Sequence, residues 1–344
     1  MRCTVLVPEL FWPGDDAPDV CRNLGAHTLE RLLARATARR HAPVDVEAWL
    51  CQAFEVERQR DWPVAPLTLA LHGGDPGDQY WLRADPVHLQ LQRDRVAVMP
   101  QTPPTREEAD AMMAALNTHF ADDGLQFLAP VPDQWYVRSG TAPRLATTTL
   151  SAAAGSDARD IAASGDDARA WRRIANEVQM VLYALPVNEA RRTVGVPEIN
   201  SVWFWGGGRK TRVPGRNFQA VWSDDSLAQA LAVMSDAHGA PLPADGRSWL
   251  AAAGALPASS HHLVVYDACA RPAAYRDAYG WREALMQFEV RWAEPLAAAL
   301  KRGTLDALTL AITTPVATWR YELTRRALWK FWMSARPLAQ YGRG

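Results

Sequence analysis

Long apolar runs, net charge, patterned cysteines and early serines are all scarce in this 344-residue chain. No stretch approaches the roughly 18 uncharged apolar residues that a membrane span requires, so no membrane partner is expected. Thirty-seven lysines and arginines against 38 aspartates and glutamates leave a formal charge of −1, no electrostatic reason to expect nucleic acid. Cys3, Cys21, Cys51 and Cys269 show no Cys-x-x-Cys spacing, which favours four buried thiols in a reducing cytoplasm over a disulfide or metal site. The opening MRCTVLVPELFWPGDD lacks the layout of a secretion signal and reads as a first strand and loop. No serine precedes Ser139.

What is present is alternation. Thr4 to Val7 reads as a buried strand, Leu24 to Arg40 as a helix, Val46 to Val56 as a second helix and Leu67 to Leu71 as a strand. Val87 to Leu91 and Val96 to Met99 form a strand pair. Thr105 opens a helix with Glu107 and Glu108 in its first turn. That helix ends near Gly124, and strands at Leu125 to Ala129 and Trp135 to Val137 follow. Residues 151–167, rich in Ala, Ser, Gly and Asp, read as a linker or long surface loop. Trp171, Ile174, Val178, Val181 and Leu182 share one helical face. Then come strands near Ala220 to Trp222, Leu263 to Tyr266 and Leu308 to Ile312, and helices at Ser226 to His238, Trp281 to Leu300 and, tryptophan-rich, Trp319 to Trp332. Such alternation implies a mostly parallel sheet flanked by helices, an α/β class.

Several polar clusters stand out. PVNEARRTVGVPEINSVWFWGGG, 186–208, reads as a helix exit, a loop and a buried strand opening into glycines. Asn188, Arg191 and Arg192 suit bidentate recognition of phosphate or carboxylate. Gly206, Gly207, Gly208 and Arg209 offer backbone N–H groups and a cation, an anion nest. Lys210-Thr211 matches the tail of a phosphate-binding P-loop, but Phe204 and Arg209 stand where that motif needs glycines. Arg83 and Asp85, one residue apart in WLRADP, fall on one side of an extended strand, as an anion clamp or an internal ion pair. His72, Asp75 and Asp78 share the loop HGGDPGD, either as a general-base or single-metal site or as side chains capping a glycine turn. His261 and His262 point to opposite faces of a strand, and His238 sits in a last helical turn. Fifteen tryptophans fill domain junctions, or present a face to a partner or second copy through the C-terminal helix.

The 186–208 segment, Gly77 to Met99, the EEADAMMAALN helix and GLQFL together resemble the cofactor-independent, archaeal-type phosphoglycerate mutases of the alkaline phosphatase superfamily. WLRADP and WGGG are also similar to signatures of the RpfE-like proteobacterial regulatory proteins. The resemblance implies an alkaline-phosphatase-like core (1–78 and 186–344) with a smaller α/β domain inserted at 79–185. It also implies substrate contacts near Asn188 and Arg191. The superfamily's chemistry needs two divalent metals and a Ser or Thr nucleophile. Here Glu9-Leu10 replaces the Asp-Gly expected after the first strand, Asp267 has no following histidine, and Thr313-Thr314-Pro315 replaces Asp-His. Thr28 is the only hydroxyl at a comparable helix start. The expectation is therefore a catalytically degenerate, regulatory or metabolite-binding protein with no cofactor and no metal. It would bind an anion through Arg83, Asn188, Arg191, Arg192 and Gly206 to Arg209. The rival is an active phosphotransferase built from Thr28, Asp75, Asp78 and Asp267.

Overall fold

The computed structural model describes all residues except 93, 94, 100, 101, 160, 162, 331, 343 and 344. Among the described residues the strands are β1 (Arg2–Leu6), β2 (Thr37–His41), β3 (Tyr80–Gln92), β4 (Arg95–Met99), β5 (Leu125–Val131) and β6 (Gln134–Ser139). They continue with β7 (Ser201–Gly208), β8 (Ala220–Trp222), β9 (His238–Ala240), β10 (His261–Val265), β11 (Ala307–Thr313) and β12 (Thr318–Thr324). The chain divides into two compact units, Met1–Phe54 with Pro214–Gly344, and Glu55–Val213, so residues 55–78 and 186–213 group with the second.

The first unit carries a seven-stranded sheet in the order β2-β12-β11-β1-β10-β8-β9. β11, β1, β10, β8 and β9 run parallel, while β12 is antiparallel to β11 and to β2. Leu29, Leu32 and Leu33 of the helix His27–Arg35 are buried in its core. That helix ends five residues before the expected Arg40, because β-branched Thr37 begins an exposed edge strand. A long helical segment spans Ala278–Phe288, a π-turn at Glu289–Ala293 and Glu294–Arg302. Trp249, Trp281 and Trp292 are fully buried here, so these indoles are core filling. The expected C-terminal tryptophan helix is not formed: Trp319 lies in β12, and among the described residues two short 3-10 turns, Arg325–Trp329 and Leu338–Gln340, follow. His238 likewise opens β9 rather than closing a helix, since Asp236 turns the chain with φ 59°.

The second unit holds an antiparallel sheet, β4-β3-β6-β5, with β7 also paired to β3. The helix Arg106–His119 starts on a reciprocal cap between Thr105 and Glu108 and covers this sheet with Ala168–Tyr183. Leu67 to Leu71 belongs to a helix, Val64–Leu71, not to a strand. Six of its eight residues are buried, and a short, mostly apolar run carries no period to separate the two states. The 151–167 stretch is not a detached linker: Ala153 is fully buried against Val87 and Val98, and Ala154 and Asp157 bridge to β4. The three glycines are not a loop either. They finish β7, where the register slips between Trp81 and Arg83 and Gly206 takes φ 62°. A Cβ on Gly208 would meet Pro63 at 2.6 Å.

Candidate functional site

Because β1, β8, β10 and β11 run in one direction, their carboxyl ends gather at one edge of the parallel sheet, the ligand-binding edge of open α/β sheets. Glu9 sits there. Its backbone N–H donates to Thr313 O at 2.9 Å, its φ is 55°, and Trp281 Nε1 donates to its carbonyl at 2.8 Å. Side-chain Oε2 is buried with no hydrogen-bond partner. Burial pushes the carboxyl up to about 8, against a smaller opposing pull from Arg276. At neutral pH Glu9 is therefore mainly the neutral acid. Asp267 exposes part of its surface, yet burial of its carboxyl, then the like charges of Asp225 and Asp224, raise it as well. The Cys269 thiol is raised by burial and by Glu9 and Asp267, the opposite of an activated thiolate.

The other strand ends are occupied with local structure. Thr314 Oγ1 donates to Ala317 O at 2.8 Å, closing the β11–β12 turn. Asp225 caps the helix Ser226–Met234 through Ala228 N at 2.8 Å, and Asp224 accepts from Leu242 N at 3.1 Å. Among the described residues no group of three or more His, Cys, Asp or Glu side chains is placed to hold a metal ion. The donors at this edge do not fit a paired-cation site.

Most residues singled out from the sequence have their polar atoms committed elsewhere. Arg83 and Asp85 form a buried ion pair at 2.7 Å, and Asp85 also accepts from Trp205 Nε1 at 2.7 Å. Arg83 is further held by Gln134 Oε1 at 3.0 Å and lies over the Tyr136 ring. Asn188, in the helix Pro186–Thr193, is fully buried; its amide donates to Leu182 O and Ile199 O and accepts from Ile199 N. Arg191 is buried against Glu108 at 2.7 Å, Thr102 O and Pro197 O, and Arg192 pairs with Glu198 at 2.7 Å. Gly206 N donates to Thr147 Oγ1, the Gly207 and Gly208 backbone lies buried in β7, and Arg209 donates to Asp78 O and Gln59 Oε1. Asp75 caps its own turn at Gly77 N. His261 shares a hydrogen bond with Thr4 at 2.9 Å, and His262 is buried between Ser260 Oγ and Trp222 Nε1. Cys3, Cys51 and Cys269 are buried, whereas Cys21 is only partly so. The rival constellation is split between units: Thr28 and Asp267 belong to the first, Asp75 and Asp78 to the second.

Thr28 stands in a different setting, which sequence reasoning missed. The Glu289 carboxylate takes the Thr28 and Leu29 backbone N–H groups at 2.6 and 2.8 Å, filling that helix N-terminus. Thr28 Oγ1 accepts from Arg31 at 3.1 Å, and a guanidinium cannot act as the base a nucleophile needs. Thr28 also borders a cavity of about 720 Å³ lined by Arg31, Arg35, Lys301 and Arg325, with Glu294 as its single carboxylate. These cations come from three separate elements, so only the fold brings them together.

No known family profile and no curated protein sequence matches the chain. Among solved structures it is similar to the cofactor-independent phosphoglycerate mutase from Thermoplasma acidophilum DSM 1728. That likeness has 14% identity over 94% of this chain and 90% of that one, at a TM-score of 0.43. It is also similar to the PH0037 protein from Pyrococcus horikoshii, with 12% identity, 94% and 87% coverage and a TM-score of 0.54. The second likeness, over most of both chains, shows a shared fold.

Proposed function

We propose that this chain is a phosphoglycerate-mutase-like protein that no longer transfers phosphoryl groups and instead binds an anionic small molecule, phosphorylated or carboxylated. The observation that carries this reading is the donor set at the sheet's carboxyl edge. Glu9 stands where an Asp ligand would be needed, Thr314, Asp224 and Asp225 at the same edge are bound to backbone groups, and among the described residues no three His, Cys, Asp or Glu side chains are placed to hold a metal ion. Two-metal phosphoryl transfer demands charged oxygens converging on paired cations. The anion side of the reading is supported by the cavity beside Thr28, where four cations face one carboxylate. A regulatory role of the RpfE-like kind agrees with both.

The test is a coupled assay with 3-phosphoglycerate, run with Mn²⁺ or Zn²⁺ in excess. The proposal expects no turnover above a heat-inactivated control. Turnover abolished by Thr28→Ala would establish the phosphotransferase alternative. An interaction scaffold has one supporting observation, the exposure of Trp329 and Trp332 at 73% and 66%. That alternative expects a homo-oligomer or complex in light scattering that Trp329→Ala with Trp332→Ala disperses.

A further inference from the structure

We infer that the cavity beside Thr28 is a nucleoside phosphate site, with the phosphates among Arg31, Arg35, Lys301 and Arg325 and a planar base against Trp329. This names a ligand class for the anion-binding reading and rests on it. Three features carry it beyond a generic basic patch.

The first is charge left uncompensated. Some exposed guanidinium groups elsewhere are paired with carboxylates, as in Arg22–Asp19, Arg173–Glu177 and Arg216–Asp236, and others stand singly. Among the described residues none of the four cavity cations has a carboxylate within ion-pair distance, although they converge on a single concavity. A ligand bearing several negative charges relieves that repulsion; a monoanion relieves little of it.

The second is that the cavity is built. Arg35 Nη1 donates to Leu328 O at 3.0 Å, tying the helix His27–Arg35 to the Arg325–Trp329 turn. Lys330 Nζ returns to Arg35 O at 3.5 Å. Arg35 Nε is buried without a hydrogen-bond partner, a donor whose desolvation is already paid. A guanidinium fixed in this way presents a planar fork suited to phosphate oxygens.

The third is the indole. Trp329 leaves 73% of its surface exposed while it lines the same cavity as the cations. Inorganic phosphate would engage the charges and leave that surface wet. Stacking of a nucleobase on an aromatic face is worth about 1–3 kcal/mol. The volume, about 720 Å³, lies within the roughly 300–1,000 Å³ of small-molecule sites.

The experiment is isothermal titration of the full chain with ATP, tripolyphosphate and adenosine, in chelator and without magnesium. The inference expects ATP to bind at least tenfold more tightly than either fragment. Trp329→Ala should bring ATP down to the tripolyphosphate affinity, and Lys301→Ala with Arg325→Ala should weaken both phosphates at least tenfold. These last side chains are exposed, so their removal leaves the fold intact, checked by circular dichroism. Equal affinities for ATP and tripolyphosphate, unmoved by Trp329→Ala, would overturn the base assignment while leaving the anion-binding reading in place. No binding of either phosphate compound would overturn both.

Discussion

Glu9→Gln isolates the most unusual group at the sheet edge, and its effect can be worked out in advance. In the unfolded chain Glu9 titrates near 4.5; in the folded chain burial holds it up to about 8. A raised acid binds more protons folded than unfolded, so its stabilising contribution is complete below pH 4.5. It is lost progressively as pH rises, until the folded group ionises near pH 8. His261 and His262 act in the opposite direction. Burial, reinforced by neighbouring charges, depresses both imidazoles to about 4, so their contribution grows between pH 4 and 6.5. The window from 6.5 to 8 therefore belongs to Glu9 more than to the histidines. Across it the wild type should lose about 2 kcal/mol, at 1.36 kcal/mol per pH unit over roughly 1.5 units. Glutamine is neutral throughout and keeps the carbonyl and the shape. In urea titrations from pH 5 to 9, following the transition of the first unit, the stability difference between variant and wild type should change by about 2 kcal/mol from pH 6.5 to 8, in the variant's favour. Parallel curves for the two proteins would refute the reasoning.

Arg83→Met should destabilise the second unit by about 3–5 kcal/mol, because it strands the Asp85 carboxylate in the interior, whereas a loss below about 1 kcal/mol in urea unfolding would mean that the pair is solvated. Asn188→Ala removes the bonds joining Leu182 and Ile199 and should cost at least about 2 kcal/mol, with phosphate affinity unchanged. An affinity loss with the fold intact would return Asn188 to the ligand site. Gly208→Ala forces a methyl against Pro63 and should cost about 1–3 kcal/mol in thermal unfolding; a neutral effect would show that the bulge can shift.

The α/β class was legible because parallel strands are continuous apolar runs separated by amphipathic helices, as AHTLERLLAR and AEPLAAALKR show beside LVVY and LTLAI. The Arg83–Asp85 pair followed from the two-residue period of an extended strand, although one spacing could not choose between pair and clamp. Errors gathered where local pattern is silent. Val64–Leu71 is apolar on every face apart from Thr68, so its pattern does not distinguish a buried helix from a strand. The WGGG glycines read as a loop because flexibility is the default expectation. Their actual reasons, a bulge against β3 and close approach to Pro63 and Tyr80, lie in distant parts of the chain. The Asn188–Arg191 cluster looked like a ligand grip because its partners Glu108, Thr102 and Ile199 are out of local view. The cation-lined cavity was invisible for the same reason: Arg31, Lys301 and Arg325 meet only after the sheet has formed.

The central claim is that the carboxyl edge of the parallel sheet no longer holds paired cations. Elemental analysis of the full chain, after incubation with Mn²⁺ and Zn²⁺ and removal of free metal, tests it most directly. The account predicts far less than one ion per chain; two tightly held ions per chain, lost together on Glu9→Gln with Asp267→Asn, would contradict it.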